Sequence, residues 1–143
     1  MKWRTAVMEL SIRALNLSSA STPLIDGQTD PYQVIQIHDY QNVSFIRMDP
    51  AIKACSKATI QAFQLAYPEL LSRKFFVNVP LVMSWVFQAV KLIAAKETVR
   101  KFSVLGYGSN LAGELGEIGA QLPTMYGGKG ASLAEAGKEV KLV

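Results

Sequence analysis

The stretch "YQVIQIHDYQN", residues 32–42, carries the only histidine of the chain, His38, and a tyrosine two positions on, Tyr40. Side chains of an extended strand alternate between its two faces. Val34, Gln36, His38 and Tyr40 then share one side, and Ile35, Ile37 and Asp39 the other. The isoleucine side suits a packed core. The opposite side offers an imidazole and a phenol to one partner; a satisfied polar pair is the alternative on these residues alone.

A second place for chemistry is "KETVRK", residues 96–101. In a helical turn Thr98 and Lys101 stand three apart and share a face. A hydroxyl and an ammonium together hold a phosphate, although the same turn also reads as a solvated surface. Glu69 in "YPELL" reads on its own as an exposed acid. The third is "LVMSWVFQAVKLI", residues 81–93, whose polar residues Ser84, Gln88 and Lys91 fall on one narrow helical stripe. It is shorter than the roughly 18 apolar residues of a membrane span. It is either a buried core helix or a helix that covers an apolar cavity and lies on a membrane surface. Trp85 and Phe87 suit the water–lipid boundary.

Other motifs fail. "GYGSNL" has Leu111 where a dinucleotide fingerprint needs its third glycine. "YGGKGAS" has Pro123 and Gly130 where a P-loop needs glycine and serine or threonine. No G-x-S-x-G elbow accompanies His38. One histidine and one cysteine, Cys55, cannot make a zinc site or an internal disulfide. With no nucleophile–base pair and no metal cluster, an enzyme is the least favoured class.

These residues must be positioned by an alternation of helices and strands. "KWRTAVMELSIRALNL", residues 2–17, has Trp3, Val7, Leu10, Ala14 and Leu17 at helical spacing, and Arg4, Glu9 and Arg13 break any signal-peptide core. Residues 18–31 read as a loop. A helix begins at Asp49 as N-cap with Pro50 in its first position, and Pro68 ends it. Ile52, Cys55, Thr59, Phe63 and Ala66 form its stripe. "KFFVNV", residues 74–79, reads as a buried strand, Pro80 opens a helix to about Ile93, and "FSVL", residues 102–105, is a third strand. Glycines at 106, 108, 113, 116 and 119 make the next segment irregular. The tail from Ala131 is small and charged.

This order points to an α/β domain with a largely parallel sheet. The chain has 143 residues, half of them hydrophobic and 18% charged, with a net charge of +4. That is enough for one domain with a core and argues against disorder. No Lys/Arg run with interleaved aromatics tracks a nucleic-acid backbone. Three strands, and a first helix with no strand before it, point to the C-terminal part of a longer domain.

"YPELLSRKFFVNVPLVMSWVFQAVKLI", then "ETVRKFSVL" and "LPTMYGGK", resemble the CRAL-TRIO lipid-binding family over residues 32 to about 129. The chain is most similar to the fungal phosphatidylinositol-transfer branch that also binds haem. The resemblance implies a CRAL-TRIO-like α/β fold: a small parallel sheet flanked by helices, with an apolar gate helix over a ligand cavity. It implies a partial lipid-binding domain over residues 1–130, its N-terminal helical module and first strands missing, and a flexible tail over 131–143. It assigns Glu69, Thr98 and Lys101 to the phosphoinositide headgroup and Trp85 and Phe87 to the gate. Tyr40 would supply the axial oxygen to ferric haem b, with His38 beside it. A tyrosinate is a hard anionic ligand that suits ferric iron. The implied partners are phosphatidylinositol, haem and a membrane surface bound peripherally. The implied location is cytoplasmic, on endoplasmic reticulum membranes.

Overall fold

The computed structural model describes residues 1–28, 30–43, 49–67, 69–83 and 96–140. Most of the segment expected as the gate helix, including Trp85 and Phe87, lies outside the described residues. So does the side chain of Thr98.

Helix α1 spans Lys2–Leu15. It holds no proline or glycine and ends where Asn16 turns left-handed, at φ 48°, and donates its N–H to Arg13 O. The expected stripe is out of phase. Trp3 is 54% exposed and Leu10 and Leu17 are exposed, whereas Met8 is buried. Two neighbouring apolar rows exist on this helix, and periodicity alone does not choose between them.

Helix α2 spans Pro50–Ala66, with Pro50 in its first turn and Asp49 Oδ1 accepting from the Ala51 N–H at 2.7 Å. Of its expected stripe only Thr59 is buried; Ile52 is exposed, and off the stripe Leu65 is 86% exposed. Spacing says which residues share a face, not whether another element covers it.

The chain divides into two compact units. The first comprises Met1–Val34, Ser44–Ser72 and Glu139–Val143. Here α1 and α2 run side by side: the Met1 amino group reaches Cys55 Sγ at 3.6 Å, and the Tyr67 hydroxyl donates to Glu9 Oε1 at 2.6 Å.

The second unit comprises Ile35–Val43 and Arg73–Lys138. The sheet has the order β1 (Val34–Asp39), β2 (Leu71–Val77), β3 (Phe102–Val104). β2 and β3 are parallel, with Lys74 opposite Phe102 and Phe76 opposite Val104. The β1 hydrogen bonds Val34 N to Leu70 O and Tyr40 N to Val77 O advance together, as in parallel strands. β2 starts three residues before the expected 74–79 and stops at Val77, because Asn78 turns to φ 56°. Residues 96–101 give the expected single turn, α3 (Lys96–Arg100).

After β3 the glycine-rich segment is a string of short turns: 3-10 at Gly108–Asn110, α4 (Leu111–Glu114), then 3-10 at Gly116–Gln121 and Thr124–Tyr126. It lays Leu111 and Tyr126 against Phe75 and Val77 to form the core, with Leu105, Leu115 and Leu122 packed around them. Ser132 and Glu135 then close a capping box on the short helix α5 (Leu133–Ala136). The isoleucine side of β1 is not the packed centre expected: Ile35 and Ile37 are 38% and 37% exposed. Among the described strands β1 lies at the edge, and the core lies under the middle strand. No helix among the described residues is long and apolar enough to cross a membrane.

Candidate functional site

The two faces of the sheet in the second unit have different work. Arg73, Phe75 and Val77 point to the core side, where the Arg73 guanidinium carbon sits 4.5 Å from the Phe75 ring centroid and Arg73 pairs with Glu114 at 3.2 Å. Lys74 and Phe76 point to the other side with Phe102. The expectation that His38 and Tyr40 share a face holds. Their rings lie 5.6 and 6.1 Å from that of Phe76. Phe76 in turn meets Phe102 edge-on at 5.4 Å. The Lys74 ammonium stands 5.5 Å from the Phe76 centroid and 5.9 Å from the Phe102 centroid, within cation–π range.

The result is an aromatic floor bearing a phenol, an imidazole and an ammonium. Phe76 is itself buried, at 8% exposure, so what this face presents is chiefly the groups around the ring: an oxygen or nitrogen ligand from one edge and a cation for an acidic substituent at Lys74. Phe76, Phe102 and Lys74 belong to this face as well, and no motif in the sequence marks them. The buried strand expected from "KFFVNV" is observed, with Phe75, Phe76, Val77 and Val79 all buried; burial on both faces hides the alternation that sends Phe75 and Phe76 to opposite sides.

Asp39, between His38 and Tyr40, faces the core side. It accepts from Asn78 Nδ2 at 2.9 Å, the Tyr126 hydroxyl at 2.8 Å and the Gln41 N–H at 2.7 Å. Asn78 Oδ1 accepts from the Gly108 N–H at 2.6 Å, an approach that a side chain at 108 would block, since its Cβ would come 2.9 Å from Asn78 Nδ2. Burial pushes the Asp39 carboxyl up, but the bonds from Asn78, Gln41 and Tyr126 outweigh it and hold the group below its ordinary value. Burial, then the bond to Asp39 and its charge, push the Tyr126 phenol up to about 12.

The stabilisation from Tyr126 is therefore complete below the ordinary value of 10.0 and is lost as the pH climbs through about 12. That from Asp39 is complete above 3.8 and is lost as the pH falls through its lower folded value. Urea midpoints measured from pH 9 to pH 12 are expected to fall less steeply for Tyr126→Phe than for wild type, following the linkage rule. Tyr67 shifts upward too, through its bond to Glu9, so the difference between the two proteins is the reading. Identical alkaline slopes would contradict the assignment.

Two of the residues assigned to the headgroup, Glu69 and Lys101, belong to different units. Glu69 belongs to the first unit, in a left-handed turn at φ 61°, with its carbonyl accepting from Gln33 Nε2 at 2.9 Å. Lys101 belongs to the second, half-buried before β3, with its carbonyl accepting from the Lys74 N–H at 2.7 Å.

The sequence pattern of the CRAL/TRIO domain matches residues 1–128. The chain belongs to the CRAL/TRIO domain family. Its relatives include the phosphatidylinositol transfer protein sfh5 of Botryotinia fuckeliana, 57% identical over 141 residues, covering 99% of this chain and 32% of that protein. The protein of the same name from Sclerotinia sclerotiorum is 56% identical, over 99% of this chain and 34% of that protein. The chain thus spans about a third of the length of these CRAL/TRIO relatives. Among solved structures, the crystal structure of Sfh5 superposes with a TM-score of 0.65 at 40% identity, covering 87% of this chain and 41% of that one. A small parallel α/β sheet of CRAL/TRIO type, expected from the sequence, is what the chain forms.

Proposed function

We propose that this chain is the sheet-bearing part of a phosphatidylinositol-binding and transfer protein that also holds ferric haem b at Tyr40. The observation that carries the transfer reading is the 57% identity, across 99% of the chain, with a protein named for that activity. Moving an acyl chain from bilayer to apolar cavity exchanges one oily environment for another, so no covalent chemistry is needed. The charged headgroup needs fixed donors, the role proposed for Lys101 and Thr98, and Glu69 is proposed as a further headgroup residue. Trp85 and Phe87 are proposed to meet the membrane surface, at the cytosolic face of the endoplasmic reticulum.

In vesicle-to-vesicle transfer of labelled phosphatidylinositol by the full-length protein, Lys101→Ala and Thr98→Ala are each expected to lower the rate about tenfold, the worth of a hydrogen bond to a charged group. Undiminished transfer by both variants would overturn the headgroup assignment.

The haem reading is favoured by the grouping of Tyr40, His38 and Lys74 on the Phe76–Phe102 floor. The donor set fits. A porphyrin would bring its own ring nitrogens, and Tyr40 would supply the oxygen ligand from the protein. The floor suits a flat macrocycle, Lys74 suits its carboxylates, and His38 is placed to donate or accept a hydrogen bond beside the phenol. Bound there, the haem would supply a redox-capable iron. Protein purified from haem-replete cells is expected to be coloured, with a ferric tyrosinate spectrum that Tyr40→Phe abolishes. A colourless wild type would refute it.

A further inference from the structure

The haem reading leaves Asp39 without a task, although it sits between the two residues that reading uses. Its side chain leaves the opposite face of β1 and gathers three donors, from Tyr126, Asn78 and the Gln41 backbone. Asn78 is itself tied to the Gly108 N–H. One carboxylate thereby joins the end of β1, the end of β2 and two turns of the segment that covers the core. Tyr126 reaches it from 87 positions away in sequence, with its ring packed in the core at 6% exposure. Directly after this junction, the Tyr40 N–H is bonded to Val77 O at 3.0 Å. The backbone on either side of Asp39 is the backbone from which His38 and Tyr40 project. Its conformation at this strand end is held from the core side.

We infer that Asp39, clamped by Tyr126 and Asn78, is a positioning residue that sets where the His38 and Tyr40 side chains meet a ligand on the opposite face. The inference rests on the reading that these two residues bind haem, and goes beyond it by assigning the control of their geometry to groups that never touch the ligand. Removing one clamp bond while keeping the volume of the group should leave the fold intact and loosen the strand end. Hydrogen bonds made directly to a metal ligand change affinity about tenfold or more. This clamp acts through the backbone one residue away, so about tenfold is the upper end of the expected effect.

The test is titration of full-length protein with ferric haem, followed by absorption and electron paramagnetic resonance, on wild type, Tyr126→Phe, Asp39→Asn and Tyr40→Phe. Tyr126→Phe and Asp39→Asn are expected to bind haem more weakly, by up to about tenfold, with a shifted tyrosinate band and a broader high-spin ferric signal. Tyr40→Phe is expected to lose the tyrosinate band entirely. If Asp39→Asn does not fold, Asn78→Ser cuts the same junction from β2 and takes its place. A tyrosinate band and affinity unchanged in folded Tyr126→Phe, with the band still lost in Tyr40→Phe, would overturn the positioning role and leave the haem reading standing. Wild-type spectra retained in Tyr40→Phe, or no haem uptake by wild type, would defeat the haem reading and the inference with it.

Discussion

Gly128→Ala is expected to destabilise the second unit by about 3 kcal/mol, the upper end of what overpacking costs, and to lower its urea midpoint sharply. A Cβ at 128 would meet the carbonyl oxygen of Leu122, with Leu122 C at 2.6 Å and Gly119 O at 2.7 Å. All three are backbone atoms, and no side-chain rotation can clear them. The crowding has a cause. The Gly128 N–H bonds Pro123 O, the Gly130 N–H bonds Leu122 O and the Lys129 N–H bonds Ala120 O, so this strand of chain is folded directly onto residues 119–123. That fold-back holds Tyr126 in the core and in reach of Asp39. Gly113→Ala is the control: it lies inside α4 with nothing within 4 Å of a new Cβ. It is expected to be neutral or to stabilise by up to about 1 kcal/mol, the helix preference for alanine over glycine. Urea unfolding followed by circular dichroism checks both, and equal midpoints for the two variants would refute the close-packing account.

The second large effect separates two adjacent phenylalanines. Phe75→Ala is expected to cost about 3–5 kcal/mol, because a fully buried ring is removed and a cavity left. Phe75 is 0% exposed between Val77, Leu111 and Tyr126. Phe76, also buried at 8% exposure, points the other way, under His38 and Tyr40. Phe76→Leu keeps most of the volume and is expected to cost less than about 1.5 kcal/mol. Its effect should instead appear in ligand binding, through the lost floor beneath the phenol and imidazole. The checks are urea unfolding of both variants and ferric haem titration of Phe76→Leu. A Phe75→Ala cost below that of Phe76→Leu would mean that the face assignment is reversed.

The local signals were legible from residues alone. Asp49–Pro50 opened α2 because capping and a proline's fixed φ act within one turn. The three strands and the turn at 96–100 followed from short apolar runs bounded by breakers. The placing of His38 and Tyr40 on one face followed from the strand repeat, which is a property of the backbone. Burial was less legible. Trp3, Leu10, Ile35 and Ile37 were expected inward and are exposed, because periodicity ranks residues by face and cannot say which face another segment will cover.

The alternation of helices and strands was written in the order of residues, because it depends on contacts a few positions apart; the CRAL/TRIO family was recognised from the resemblance of whole blocks of sequence. What only the tertiary structure decided is which atoms meet across long separations. Phe76 and Phe102 become one floor through strand register, and Asp39 and Tyr126 meet because the glycine-rich segment folds back over the sheet. No local preference encodes such pairs. They arise from the closing of loops onto a shared core, where packing chooses among arrangements that every short stretch of sequence allows equally.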